Sequence, residues 1–157
     1  MPRQGWGQGS CPQRSESAEL SNRPELSVIV PVLDGRDLLR RSIGALLQSD
    51  LPRDRWELIV VDDGSTDGSA DWAEARADRL LRIEGGPRGP GFARNAGAEI
   101  ASGEILVFVD ADVCVHHDAL GRFRRAFDGH EDLGAVFGAY DDRPTVAAFL
   151  SQYRNLF

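Results

Sequence analysis

Two rhythms of apolar residues alternate along this chain. Short unbroken apolar runs at residues 26–32, 58–61 and 105–109 have the pattern of strands buried on both faces, as in a parallel sheet covered by its crossover helices. Between the first two runs, Leu38, Leu39, Ile43, Leu46 and Leu47 recur at helical spacing within residues 37–49, and Pro52 marks the turn out. The second strand is expected at 56–61, a helix at 69–77 with Ser69 as its N-cap, and a short third strand at 80–83. Gly85-Gly86-Pro87 and Gly89-Pro90-Gly91 make 84–91 a loop, since neither helix nor sheet interior tolerates that composition. A helix follows over 92–101, closed by Ser102-Gly103, then the strand 105–109, a helix over 118–127 and a further strand over 133–139. The final stretch, 145–157, reads as the first turns of a helix whose apolar face (Phe149, Leu150, Tyr153, Leu156, Phe157) no later residue covers.

This alternation predicts an α/β fold, a Rossmann-like, mostly parallel sheet flanked by helices over residues 26–157. The uncovered last helix leads to the expectation of a fold truncated at its C-terminus; the alternative is a terminal helix that packs back on the sheet. Residues 1–25, rich in Gly, Gln, Ser, Arg and Pro without periodic apolar positions, read as a disordered tail. At 157 residues the chain has the length of one domain.

Charge narrows the partners. The formal net charge is -7 and all 18 basic residues are arginine. Such a balance argues against a nucleic-acid backbone as partner, and a phosphorylated ligand would need a metal ion or locally placed arginines to offset repulsion. No apolar stretch approaches the roughly 20 residues of a membrane span and no secretory h-region opens the chain, so the reading is cytoplasmic, with membrane association left to segments outside this sequence. Cys11 and Cys114 have no second thiol or histidine at metal-binding spacing, and no disulfide is expected.

Three segments carry chemistry. Asp62-Asp63-Gly64-Ser65-Thr66-Asp67 follows the second strand, Gly91-Phe92-Ala93-Arg94-Asn95-Ala96-Gly97 opens a helix after a glycine-rich loop, and Asp110-Ala111-Asp112 ends the strand 105–109. Each alone has a plain structural account: Asp, Gly and Ser favour turns, and a helix start readily bears a surface arginine. On a strand the two aspartates would share a face about 7 Å apart, and a bend could draw them together on a cation. All three sit beside a strand's carboxyl end, the rim where parallel α/β sheets bind ligands.

In this order the segments resemble the nucleotide-sugar half of a family 2 glycosyltransferase of the GT-A fold. The resemblance rests on Val28-Ile29-Val30-Pro31-Val32, Val60-Val61-Asp62-Asp63-Gly64-Ser65-Thr66-Asp67, Ala93-Arg94-Asn95-Ala96-Gly97 and Phe108-Val109-Asp110-Ala111-Asp112. One departure is Leu33-Asp34, where the family has an aromatic residue and then Asn, although Asp34 still offers a hydrogen-bond acceptor. The resemblance implies that the Pro31-Val32 turn and Asp63 embrace the nucleobase, the Asp63 carboxylate taking a base N–H while Asp62 supports the turn. It further implies that Arg94, with Asn95 beside it, contacts the nucleotide, that Asp110, followed by Ala111, contacts the ribose or sugar, and that Asp112 holds a divalent cation, Mn²⁺ or Mg²⁺. The activity implied is inverting transfer from a nucleoside-diphosphate sugar, UDP first and GDP next, to a glycan, lipid or small-molecule acceptor.

Inversion needs a base on the acceptor side. Asp141-Asp142, before Arg143-Pro144, reads as a turn, and His116 and His117 as capping or solvated residues where a helix begins, so the catalytic base is expected to be absent from this chain. The alternative function is therefore a non-catalytic or truncated nucleotide-sugar-binding module. A haloacid-dehalogenase-type phosphohydrolase shares the local Asp-x-Asp, and receiver domains and sugar nucleotidyltransferases share parts of the pattern. Each of these also depends on a lysine or on downstream elements this sequence lacks.

Overall fold

The computed structural model describes residues 23–130 and 132–139. Its element order is β1 (Leu26–Val32), α1 (Arg36–Leu46), a 3₁₀ turn (Arg53–Arg55), β2 (Trp56–Asp62), α2 (Ser69–Glu74), β3 (Arg79–Arg82), α3 (Pro90–Ile100), β4 (Ile105–Phe108) and α4 (Ala119–Ala126). The four strands run parallel in the order β3-β2-β1-β4. The chain winds outward from β1 through β2 to β3, then crosses back to the far side of β1. The order therefore reverses between β1 and β4, the kind of place where parallel α/β sheets bind ligands at their carboxyl ends.

Alternation along the two central strands divides the core. Val28, Val30 and Val32 of β1 join Leu58 and Val60 of β2 under Leu39, Ile43 and Leu46 of α1 and Leu120 of α4. Ile29, Ile59 and Val61 face the other way, toward Ala93 of α3. This two-sided burial is why both strands read as continuous apolar runs. Of the five apolar positions expected on the first helix, Leu38 and Leu47 are exposed and only the stripe of Leu39, Ile43 and Leu46 is buried. Helix α3 rests directly on the sheet: a Cβ at Gly97 would lie 2.6 Å from Ile29 Cγ2 and 3.0 Å from Val61 Cγ2. Glycine there lets the helix carrying Arg94 approach closely.

Several sequence expectations shift. The cap of α2 is Gly68 at φ 81, not Ser69. Ser69 lies inside the first turn, and Asp67 Oδ1 accepts both its N–H at 2.9 Å and its hydroxyl at 2.5 Å. That helix stops at Glu74, three residues before the expected end, because the chain must turn back for Asp78 to exchange hydrogen bonds with the Leu58 N–H and C=O. The strand expected at 133–139 does not form. Gly134, Ala135, Gly138 and Ala139 are weak strand formers, the segment joins no ladder, and Phe137 is 91% exposed. Glu25, placed at the end of the expected tail, is tied to the fold, its N–H donating to the Arg55 carbonyl at 2.7 Å. Residues 1–22 of the expected tail and the expected last helix lie outside the described residues. No described helix is long and apolar enough to cross a membrane.

Candidate functional site

The rim at the carboxyl ends of β1, β2 and β4 gathers the three motif segments. After β1 the turn comes two residues later than expected, at Leu33-Asp34, with Asp34 in the left-handed region at φ 48. Pro31 and Val32 belong to the strand and are buried. Val32 packs into the core and its carbonyl accepts the Asp63 N–H at 2.9 Å, so it supports the rim from beneath and offers a base no surface. Half-exposed Leu33 is the apolar side chain at that place. Asp34 accepts hydrogen bonds as expected, but from Thr66: the N–H at 2.7 Å and the hydroxyl at 3.2 Å. With Asp34 N–H to Ser65 Oγ at 3.0 Å and Arg36 N–H to Asp67 Oδ2 at 2.8 Å, these bonds zip the β1–α1 turn to the β2–α2 turn.

Asp62 supports its turn by accepting the Ser65 N–H at 3.3 Å. Asp63, the next residue, is buried. Its carboxylate, 3% exposed, accepts the Arg88 N–H at 2.8 Å and the Gly89 N–H at 2.7 Å, one on each oxygen. Burial of an acid demands such partners, and the glycine loop before α3 supplies them from the chain's own backbone. The carboxylate expected to take a base N–H thus accepts two N–H groups of the loop.

Arg94 donates to Asp110 Oδ1, an ion pair joining the second turn of α3 to the end of β4. The two residues assigned to nucleotide and sugar thus meet each other. Regular strand ends at Phe108, and the Asp110 carbonyl accepts the Val113 N–H at 3.0 Å, so the acidic pair occupies a turn. Ala111 packs its methyl against the core while Asp112 stands exposed at the corner. Neither Asp112 nor exposed Asn95 has a partner among the described residues. His116 and His117 are exposed in the loop ahead of α4, and Asp141-Asp142 lies outside the described residues.

Two rim residues escaped the sequence reading. Arg36, in the first turn of α1, extends an exposed guanidinium with no acid partner among the described residues, 3.7 Å from the Cβ position of Gly68. Asp67 is held below the usual carboxylate range by the hydrogen bond from the Ser69 hydroxyl and then by that from the Arg36 N–H, partial burial opposing. Its place in the acidic motif was the available signal. Both residues line a hollow of about 420 Å³ with Asp34, Gly35, Asp37 and Leu38. A larger hollow, about 500 Å³, lies at the opposite, amino ends of the strands. There Arg53 pairs with Asp78 and Arg79 with Glu57, which answers four of the six charged side chains that line it.

A divalent cation fits the rim on its chemistry. Among the described residues no three His, Cys, Asp or Glu side chains converge into a closed cage. An exposed, unpartnered carboxylate at Asp112 is the type of ligand that Mg²⁺ or Mn²⁺ takes singly, filling the remaining positions with water and substrate phosphate.

Comparison with known proteins identifies the family and the fold. The sequence model of the family described as "Glycosyl transferase family 2" matches residues 27–154. The chain is 36% identical to the glycosyltransferase AglE of Haloferax volcanii over 143 residues, covering 87% of this chain and 47% of that protein. It is 36% identical to the validoxylamine A glucosyltransferase of Streptomyces hygroscopicus over 130 residues, 78% of this chain and 31% of that protein. The fold superposes on Staphylococcus aureus TarS in complex with UDP-GlcNAc at TM-score 0.62 and 29% identity, covering 68% of this chain and 32% of TarS. It also matches the mannosyltransferase PcManGT of Pyrobaculum calidifontis, in complex with GDP-Man and Mn²⁺, at TM-score 0.59 and 35% identity, covering 67% and 32%. The chain thus spans less than half the length of each of these relatives. Its parallel sheet flanked by helices is the GT-A architecture, and the chain belongs to glycosyl transferase family 2.

Proposed function

We propose that this chain forms the donor-binding part of a glycosyltransferase that moves a sugar from a nucleoside-diphosphate sugar, UDP being the favoured carrier, to an acceptor with inversion. One observation carries the reading: the rim at the β1/β4 reversal brings the acidic turn after β2, the Arg94 turn of α3 and the Asp112 corner to one place, linked by the Arg94–Asp110 pair and by Asp63 on the loop ahead of α3. Structures of relatives in complex with UDP-GlcNAc and with GDP-Man and Mn²⁺ favour the same ligand class.

In this reading Asp63 and the Leu33-Asp34 turn border the base, with Pro31 and Val32 beneath and Asp62 bracing the turn. Arg94, next to Asn95, exchanges its bond to Asp110 for the nucleotide, which frees Asp110 for the ribose or sugar. Ala111 keeps the turn seated, and Asp112 holds the cation. A bound Mn²⁺ or Mg²⁺ would supply charge neutralisation for a departing diphosphate. Without it, the acidic rim repels that anion. The acceptor's proton is left to a base outside the described residues.

Calorimetric titration with UDP, with and without Mn²⁺, on the wild type and on Asp112→Asn tests this. Mn²⁺ is expected to tighten binding at least about tenfold in the wild type and hardly at all in the variant, since the aspartate supplies the protein's charged ligand. Metal-independent binding that the substitution leaves untouched would remove Asp112 from its role. Donor hydrolysis by the same chain then separates an enzyme from a binding module: turnover supports the first, binding without turnover the second.

A further inference from the structure

The loop between β3 and α3 is fastened to the end of β2 backbone against backbone. A Cβ on Gly86 would lie 2.5 Å from the Asp63 carbonyl oxygen and 3.0 Å from its carbon, and one on Gly64 would lie 3.5 Å from the Gly86 carbonyl carbon. Gly64, Gly85 and Gly89 adopt φ of 96, 68 and 94, conformations that side-chain-bearing residues rarely reach. Onto this strap the buried Asp63 carboxylate accepts two successive N–H groups, those of Arg88 and Gly89. Such charge-assisted bonds are among the stronger ones available to a loop. Gly89 is the N-cap of α3, and the Arg88 guanidinium lies 3.8 Å from the centre of the Phe92 ring in the first helical turn. The strap and the helix start are therefore one unit.

We propose that Asp63 is a positioning residue for Arg94: by holding the strap it fixes the start of α3 and so the place from which Arg94 reaches the nucleotide. This deepens the donor-binding reading and rests on it only for that last step. Helix α3 is pinned at Gly89 by the Asp63 carboxylate and on the sheet at Ala93 and Gly97. Arg94 lies between the pins, five residues, or roughly 7–8 Å of helix, beyond Gly89. Without the Gly89 tie, the turn that leads into Ala93 loses its fixed start, and Arg94, the next residue, shifts its side chain off Asp110. The acid thus acts on the nucleotide through the arginine as well as through any contact of its own.

Two variants separate these roles. Asp63→Ala removes both acceptors, whereas Gly86→Ala pushes the strap off the Asp63 carbonyl while leaving the carboxylate intact. In the nucleotide-free full chain, amide hydrogen exchange at Arg88 and Gly89 is expected to rise at least about tenfold in both variants, and modification of Arg94 by phenylglyoxal, mapped by mass spectrometry, is expected to rise several-fold. Exchange unchanged in Asp63→Ala would overturn the fastening, and unchanged Arg94 reactivity in both variants would overturn the positioning, whether or not any nucleotide binds. With UDP and Mn²⁺, Gly86→Ala is expected to weaken binding about tenfold in the wild-type background and less than about twofold in Arg94→Ala, because the strap acts through that arginine. Equal weakening in the two backgrounds would contradict the proposal. Failure of the wild type to bind UDP or GDP would instead strike the donor-binding reading and leave the first two measurements to decide the strap.

Discussion

The two ends of the sheet use polar residues in opposite ways. At the amino ends, buried Glu57 accepts the Ser27 hydroxyl at 2.6 Å and the Ser102 N–H at 2.7 Å and lies 3.5 Å from Arg79, while Gly103 N–H donates to Ser27 Oγ at 2.8 Å. Nearby Glu25 takes Arg55 and Arg124 together. Trp56 Nε1 is the buried side-chain donor left without an acceptor among the described residues. At the carboxyl ends, Asp34, Asp62, Asp63, Asp67, Asp110 and Asp112 crowd one rim, Arg94 answers one of them, and Arg36 answers none. Charges at the first end stabilise the fold; at the second, like charges are held together and some stay open, an arrangement that makes sense when a ligand completes it.

The comparison breaks most sharply at Glu57. Glu57→Ala leaves the Ser27 hydroxyl, the Ser102 N–H and Arg79 short of their acceptor, with an expected loss of about 2–4 kcal/mol. Gly103→Ala, whose Cβ would lie 2.6 Å from the Leu26 carbonyl carbon and the Ser27 nitrogen, should lose a comparable amount because backbone cannot move aside. Urea unfolding at neutral pH measures both. Losses under about 0.5 kcal/mol, the range of ordinary surface changes, would show that the amino end is not the structural one.

At the other end the expectation reverses. Asp112→Asn removes one like charge from the rim and breaks no bond among the described residues, so unfolding stability should stay within about 0.5 kcal/mol of wild type or rise, even as the metal-supported part of UDP binding disappears. A variant that loses stability and binding together would place Asp112 among the structural residues and erase the contrast.

Much of this division could be read from the chain before its structure. The apolar runs at 26–32 and 58–61 located β1 and β2 because two-sided burial leaves few polar positions, Ser27 being the exception, to blur the pattern, and the acidic turns announced the rim. Strand 133–139 was misread because apolar content alone does not make a strand; Gly134 and Gly138 weaken it and no ladder receives it. The fate of the Asp63 carboxylate was not legible either, since its partners are backbone N–H groups 25 and 26 residues away, and backbone donors leave no mark on side-chain identity. Arg36 escaped for a related reason: an arginine in a helix's first turn is ordinary, and only the fold shows that its guanidinium meets no acid among the described residues.

The smallest effect belongs to Glu25, just before β1. The hydrogen bond from Arg55 lowers its pKa from 4.5 to about 2, partial burial opposes, and the bond from Arg124 adds to the lowering. Both arginines stay charged throughout the accessible range. Because the folded carboxyl is the stronger acid, the unfolded chain takes up its proton first, so this stabilisation is complete above about pH 4.5 and is lost as pH falls toward 2. The side chains of Glu25, Arg55 and Arg124 are 32%, 39% and 34% exposed, and solvent screening reduces the gain to about 1 kcal/mol. Glu25→Gln should therefore be less stable by about that amount at pH 7 and equal to wild type near pH 2, the two curves converging on acidification. Asp67 at the opposite rim is also lowered, by the Ser69 hydroxyl and the Arg36 N–H, so Asp67→Asn should show the same sign of convergence. A difference between wild type and Glu25→Gln that stays constant from pH 7 to 2.5 would mean that the variant lost packing rather than charge, and that the amino end is held by shape more than by its ion pairs.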